Sequence, residues 1–240
     1  MTIMRKKTVI HFDYSRDPLL TANIENSVRR GSAEILEETE EGIFLYDREG
    51  EVYCLYAPVE TGKEWLRKHE KRLGGLLVLY DDALIAHAAE RYGYKAGEPC
   101  RQVVWTDPEP PAYTAVLQTR TATEEDIPLC LQTYSNAIEE DVRKAVLAGN
   151  VLLGYEGEKL AGMIGLHTEG SIGMLEVLPA FRRKGYGTEL EKAMIARQLA
   201  AGWIAYGQVY LSNAASFALQ DSIGMEVSEG TLTWLWREQA

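Results

Sequence analysis

The chain has 240 residues, 46% of them apolar and 25% charged. These are the proportions of an ordinary globular protein long enough to bury a sizeable core, and they exclude wholesale disorder. Lys and Arg total 25 against 36 Asp and Glu, a formal net charge of −11, and both halves are acidic, which argues against a grip on nucleic acid through its phosphates.

No apolar run reaches the roughly 18 residues of a membrane span. Residues 1–7 are basic and lead into His11, Asp13, Arg16 and Asp17, not into the apolar core of a signal peptide. Cys54, Cys100 and Cys130 are widely spaced and form neither a disulfide framework nor a zinc-type pair, so each reads as a small buried residue. The expectation is a cytoplasmic protein with no membrane association and no metal site.

In chain order, the first predicted elements are strands at 43–46 and 52–56 around an Asp47-Arg48-Glu49-Gly50 turn, then a helix over 62–71. Leu79-Tyr80-Asp81-Asp82-Ala83 precedes a helix that ends at Gly93. Thr106-Asp107-Pro108-Glu109-Pro110-Pro111-Ala112 holds three prolines in four positions. Proline fixes φ and cannot donate to a ladder, so this segment reads as a linker. The predicted division is a domain over 1–106, a linker over 107–114 and a domain over 115–240.

The second half opens with a strand at 115–120. Thr123 reads as an N-cap ahead of Glu124, Glu125 and Asp126, starting a helix to about residue 134. A second helix covers 138–148 and stops at Gly149-Asn150. Strands follow at 151–155, 159–167 and 172–178, then a helix over 188–201, a strand at 208–211, a helix over 215–223 ended by Gly224, and closing strands at 225–227 and 232–236. An offset of about 131 residues carries Gly93 to Gly224, Asp82 to Asn213 and Trp105 to Trp236, so residues 30–106 read as a sparse repeat of the second half. The acidic clusters at 34–41, 124–126 and 139–141 read as solvated helix starts and turns. Trp203, Trp234 and Trp236 read as core residues.

The stretch from Glu176 through Pro179, Arg182, Arg183, Lys184, Gly185, Tyr186 and Gly187 to Thr188 carries the chemistry. It is a strand, a basic turn with two glycines and a helix start. Gly185 and Gly187 let backbone N–H groups point inward, the helix start adds unsatisfied N–H groups and the positive end of its dipole, and three cations cluster in an acidic chain. Together they form a site for phosphate or pyrophosphate. The P-loop pattern G-x-x-x-x-G-K-[ST] is absent, and Leu190 stands where a dinucleotide fingerprint needs its third glycine.

Val177-x-Pro179-x-x-Arg182-x-x-Gly185-x-Gly187, with the order of elements after residue 115, resembles the GCN5-related N-acetyltransferase (GNAT) superfamily, and residues 170–187 resemble its FR47 and glycine N-acyltransferase branch. The resemblance implies an α/β (α+β) fold of two tandem mixed-sheet domains, the first degenerate. It also implies acetyl-CoA as co-substrate and an N-acyltransferase acting by direct attack of a primary amine in a ternary complex. The backbone of Leu175 and Val177 would bond the pantetheine arm like an added strand, with the Val177 N–H holding the oxyanion. The segment from Arg183 to Thr188 would cradle the pyrophosphate, Arg182 fills the family's Arg/Gln position, and Asn213 and Ser216 would contact the cofactor. In many members a tyrosine on the last helix protonates the leaving thiolate; here Gln220 stands in its place.

Glu176, on the strand that would hold the acyl group, is the first candidate for general base, and His167, at the end of the preceding strand, is the second. A carboxylate paired with a neighbouring cation is the alternative reading of Glu176. The implied acceptor is a small amine or an amino-acid-like molecule. The first half lacks the basic two-glycine turn, so no coenzyme A site is expected there. It would instead bury one face of the second half, shape the acceptor cleft or form a homodimer contact. The alternatives to catalysis are a non-catalytic acyl-CoA-binding regulator and an interaction module.

Overall fold

The computed structural model describes residues 12–237; the basic start of the chain, residues 1–7, lies outside them. The first half contains α1 (Ala22–Arg30), β1 (Ala33–Thr39), β2 (Gly42–Asp47), β3 (Val52–Tyr56), α2 (Val59–Lys68), β4 (Gly75–Leu79), α3 (Asp82–Tyr92), β5 (Lys95–Ala96) and β6 (Cys100–Val104). The second contains β7 (Gln118–Thr121), α4 (Ile127–Thr133), α5 (Glu139–Leu147), β8 (Val151–Glu156), β9 (Lys159–Leu166) and β10 (Ile172–Val177). It ends with α6 (Tyr186–Ala200), β11 (Tyr206–Tyr210), α7 (Ala214–Ile223), β12 (Glu226–Val227) and β13 (Thr233–Arg237).

The run β1-β2-β3-α2-β4-α3-β5-β6 recurs as β8-β9-β10-α6-β11-α7-β12-β13. The caps repeat as well. Gly93 (φ 74°) and Gly224 (φ 93°) end α3 and α7 in the left-handed conformation, which glycine adopts without a Cβ penalty. Asp81 and Asn213 cap their N-termini, Asp81 accepting from Ala83 N and Leu84 N and Asn213 from Ser216 N. The helix starts therefore correspond at Asp81 and Asn213, and not at Asp82, because α3 is one residue longer than α7.

The two sheets run β1-β2-β3-β4-β13-β5 and β12-β6-β11-β10-β9-β8-β7. Each half thus sends its last strand into the other half's sheet. β13 pairs antiparallel with β4 from Thr233↔Leu79 to Arg237↔Gly75, and β6 pairs antiparallel with β11 from Tyr206↔Val104 to Tyr210↔Cys100. The expectation that the strand at 232–236 closes the second half is corrected: it lies in the first sheet, with Leu235 fully buried in the core beside Phe44, Leu77 and Leu79.

Further bonds tie α1 and β13 to the second sheet and the chain leading into it. The Gln102 side-chain amide donates to Leu20 O (2.6 Å) and Asn23 Oδ1 (2.7 Å). Asn26 Oδ1 accepts from Ile204 N (2.9 Å), and Trp234 Nε1 donates to Gln208 Oε1 (2.6 Å).

Two local expectations change. The acidic run at 34–41 is largely strand β1, not a helix start or turn; Glu34 pairs with Arg72 (2.8 Å), and Glu37 with Lys68 (2.5 Å) and His69 (2.6 Å). Trp236 is 43% exposed and not in the core, because it sits on the first sheet opposite Leu76, itself at the surface. The three cysteines are free and buried.

The exchange yields a test. Deleting residues 1–106 removes β6 and leaves β11 and β13 without their antiparallel partners. The fragment 107–240 is expected to be insoluble, or to melt without a cooperative transition by circular dichroism. A soluble fragment with a single sharp transition would show that the second half folds alone.

Candidate active site

The site is built where β10 parts from β11. The β9–β10 register shifts by one residue between Gly173 and Glu176. This bulge passes through Met174, whose φ of 50° is rare for a side-chain-bearing residue and whose buried side chain packs in the core beside Met163. After the pair Ile172↔Gly207, no further β10–β11 ladder pair forms. The corresponding strands of the first half stay closed: β3 and β4 pair in parallel at four positions, Val52↔Leu76 to Leu55↔Leu79, and β2–β3 runs in unbroken register. Only the second sheet is forked.

The fork opens into a cleft of about 980 Å³. Leu175, Gly207, Asn213 and Ser216 line it from the second half, and Leu76, Trp234 and Trp236 from the first sheet. Leu178 N donates to Ala161 O on β9 (2.9 Å). Backbone groups alternate sides along a strand, so the Val177 N–H and C=O face the fork.

At the end of β10 the chain turns through Pro179–Phe181 into an exposed loop. Arg183 (φ 62°) and Gly185 (φ 84°) are both left-handed, and Gly185 is the N-cap of α6. The first cap bond of the helix is Glu189 N to Gly185 O (3.0 Å). N–H groups in a first helical turn have no acceptor within their helix, so those of Tyr186, Gly187 and Thr188 are available to an anion. A Cβ on Gly187 would meet only Val177 and Leu175 side-chain atoms, at 3.7 and 3.9 Å, ordinary contact distances, so a small side chain fits in this first helical turn with little disturbance of the protein.

The cations of the loop are partly engaged. Arg182 Nε donates to Val177 O (2.9 Å), and its Nη2 bonds Glu176 (3.1 Å). Lys184 bonds Glu156 (2.9 Å) and lies over the rings of Phe181 and Tyr186. The Tyr186 hydroxyl also donates to Glu156. Asn213 and Ser216 are brought together, with Asn213 Oδ1 accepting from Ser216 N (3.0 Å).

Glu176 is bonded by Arg182 and by Ser135 Oγ (2.8 Å), the arrangement of a carboxylate that fixes the α4–α5 connection and the loop to the strand. His167 lies in the cleft wall. Its Nε2 would stand 2.3 Å from a Cβ on Gly173, so the bare glycine of β10 is what admits the imidazole.

One pair on the helix side of the cleft was not anticipated. Glu191 on α6 and Gln220 on α7 are only 3% and 4% exposed, and both line the cleft. Gln220 Nε2 donates to Glu191 Oε1 (2.7 Å), while Glu191 Oε2 and Gln220 Oε1 have no hydrogen-bond partner. Desolvation raises the Glu191 carboxyl to about 7, opposed by the Gln220 bond. The sequence held a signal for it: Glu191, Met194, Ile195 and Gln198 share the helical spacing of one face, and all four are buried.

Among the described residues, no group of His, Cys, Asp and Glu could hold a metal ion, and no helix is long and apolar enough to cross a membrane.

Residues 152–235 match the family model described as FR47-like protein. No curated protein matches the chain. Among solved structures, a Drosophila protein is 19% identical with a TM-score of 0.63, covering 81% of this chain and 73% of its own. A protein described as an acetyltransferase from the GNAT family, from Novosphingobium aromaticivorans, is 17% identical at TM-score 0.57, over 95% of this chain and 100% of its own. A GCN5-related N-acetyltransferase from Kribbella flavida is 14% identical at TM-score 0.57, over 93% and 95%.

The Glu191 carboxyl yields a stability test. With a native pKa near 7 against an ordinary 4.5, the folded chain binds more protons than the unfolded one between those values. Stability linked to this group therefore falls as pH rises from about 4.5 to 7, by at most about 3 kcal/mol. Glu191→Gln is expected to flatten that part of the profile and to gain on the wild type between pH 5 and 8 in urea titrations. Parallel profiles for the two proteins would contradict a buried protonated carboxyl.

Proposed function

We propose that this chain is a member of the GCN5-related N-acetyltransferase superfamily, a reading supported by its fold and by the FR47-like region at residues 152–235, and that it transfers an acyl group from acetyl-CoA to a primary amine. The observation that carries the reading is the fork of β10 and β11 ending at the two-glycine loop and the N-terminus of α6. A bulged strand with one free edge, a cleft at its side and an exposed nest of N–H groups at its end suit a pantetheine arm and a pyrophosphate in turn.

Acetyl-CoA, when bound, supplies an acyl group activated as a thioester. The chain's residues supply the rest. The backbone of Leu175 and Val177 would hold the pantetheine arm, and the Val177 N–H, which faces the fork, would polarise the acyl carbonyl and stabilise the negative charge that develops on its oxygen. The turn from Arg183 to Thr188 holds the diphosphate. Asn213 and Ser216 line the far wall. Arg182 acts mainly by positioning, because it ties the loop to Val177 O and Glu176. With Glu176 bonded to a cation and a hydroxyl, His167 is the better placed of the two candidate bases, since it faces the cleft the amine enters.

The acceptor is a small amine, because the compartment is walled by the first sheet. The non-catalytic alternative, an acyl-CoA-binding regulator, is favoured by one observation only: Gln220 offers no phenol at the leaving sulfur. Thiol release separates the two readings.

Gly187→Val is expected to weaken acetyl-CoA binding at least tenfold by calorimetry with the melting temperature nearly unchanged, and the wild type to release free thiol when given a panel of primary amines. Unchanged affinity in Gly187→Val would contradict the placement of the diphosphate. Binding without thiol release would favour the regulator.

A further inference from the structure

The acyltransferase reading, on which this inference rests, leaves one chemical need open. A thiolate leaving a thioester needs a proton, and Gln220 has no acidic proton to give. Glu191 lies in contact with Gln220, on the adjoining helix and on the same wall of the cleft. Two buried polar side chains at a helix–helix contact cost stability unless fully bonded, and this pair is only half bonded: Glu191 Oε2 and Gln220 Oε1 are both left over. The other lining residues of α6 and α7, namely Ser216, Leu219 and Gln220, carry no titratable group.

We propose that Glu191 is the acid that returns a proton to sulfur when the thioester breaks, with Gln220 positioning its carboxyl. The amine nitrogen bonds to the acyl carbon, and the carbon–sulfur bond breaks with its electron pair going to sulfur. The proton on Glu191 Oε2 passes to that sulfur, giving a thiol and a carboxylate. The proton lost by the amine leaves through a base or water, and solvent returns one to Glu191 when the products depart. The Gln220 bond to Oε1 directs the protonated oxygen toward the cleft and holds the carboxylate afterwards. Burial keeps the group protonated near neutral pH.

Two readouts test this, one of them independent of turnover. The first is proton exchange on binding coenzyme A, measured by calorimetry at pH 7 in two buffers of different ionisation heat. Closure of the slot over Glu191 holds its proton more firmly, so the wild type is expected to take up more protons than Glu191→Gln, by roughly half a proton per site. The second is thiol release from saturating acetyl-CoA, with water and added primary amines as acceptors. Glu191→Gln is expected to lose roughly 100-fold in rate with affinity changed less than about threefold. Gln220→Tyr in that background, which supplies a phenol beside position 191, is expected to restore most of the rate, and Glu191→Asp to fall between.

Equal proton uptake in the two proteins, or a Glu191→Gln rate within about threefold of wild type, overturns the assignment of the acid. So does a wild type that binds acetyl-CoA but releases no thiol. A wild type that does not bind acetyl-CoA at all overturns the acyltransferase reading itself, which keeps the two failures distinct.

Discussion

The structure depends on β11 being held from one side only. Five β6–β11 pairs, from Tyr206↔Val104 to Tyr210↔Cys100, fix the strand from the flank away from β10, and the partner strand β6 comes from the first half of the chain. On the other flank a single pair, Ile172↔Gly207, joins it to β10. A strand with both edges loose would not persist in a sheet. The exchange of the last strands is therefore what permits a fork in the middle of the second sheet, and the fork is the candidate site. The first sheet uses its guest strand β13 differently: β4 is bonded on both flanks, by β3 and by β13, so no fork opens beside it. The asymmetry between two copies of one topology lies in a one-residue bulge and three missing strand pairs.

The charged groups around the fork mostly hold parts of the protein to one another. Arg182 fastens the loop to β10, Glu176 gathers Arg182 and Ser135, and Glu189 on the first turn of α6 accepts Val116 N and Leu117 N (both 2.8 Å), pinning the end of the linker. The loop's cations thus hold geometry as much as they offer charge to a ligand, and in the proposed function it is the backbone N–H groups that bind the anion. Against these bonded groups, Glu191 and Gln220, which both line the cleft, form a pair in which Glu191 Oε2 and Gln220 Oε1 have no hydrogen-bond partner.

Much of this was legible in the sequence because it is local. Hydrophobic alternation, the prolines of the linker and the stop signals at Gly149, Gly93 and Gly224 mark elements within one or two turns of themselves, and the spacing of Arg182, Gly185 and Gly187 marks the loop. The repeat was readable for the same reason, though a one-residue difference in helix length put Asp82 where Asp81 belongs. The exchange was not legible: whether the strand at 233–237 pairs with β4 or β11 is decided by contacts more than 130 residues apart, and either sheet would accept its alternation. Strand β1 was hidden by its glutamates, which are satisfied by Arg72, Lys68 and His69 from other elements. Glu176 was readable as a strand carboxylate, but its bond to Ser135 crosses 41 residues. Glu191 was hidden because a Glu beside a Lys in a helix reads as solvated, although its spacing with Ile195 and Gln198 places it on the buried stripe.

The central claim is one acyl-CoA slot per chain, formed by the forked sheet and absent from the closed one. Calorimetric titration of the full chain with acetyl-CoA tests it directly through stoichiometry. The account predicts saturation at one molecule per chain. Saturation at two would mean that the closed first sheet also binds, and no heat of binding would mean that the fork is not a coenzyme A site.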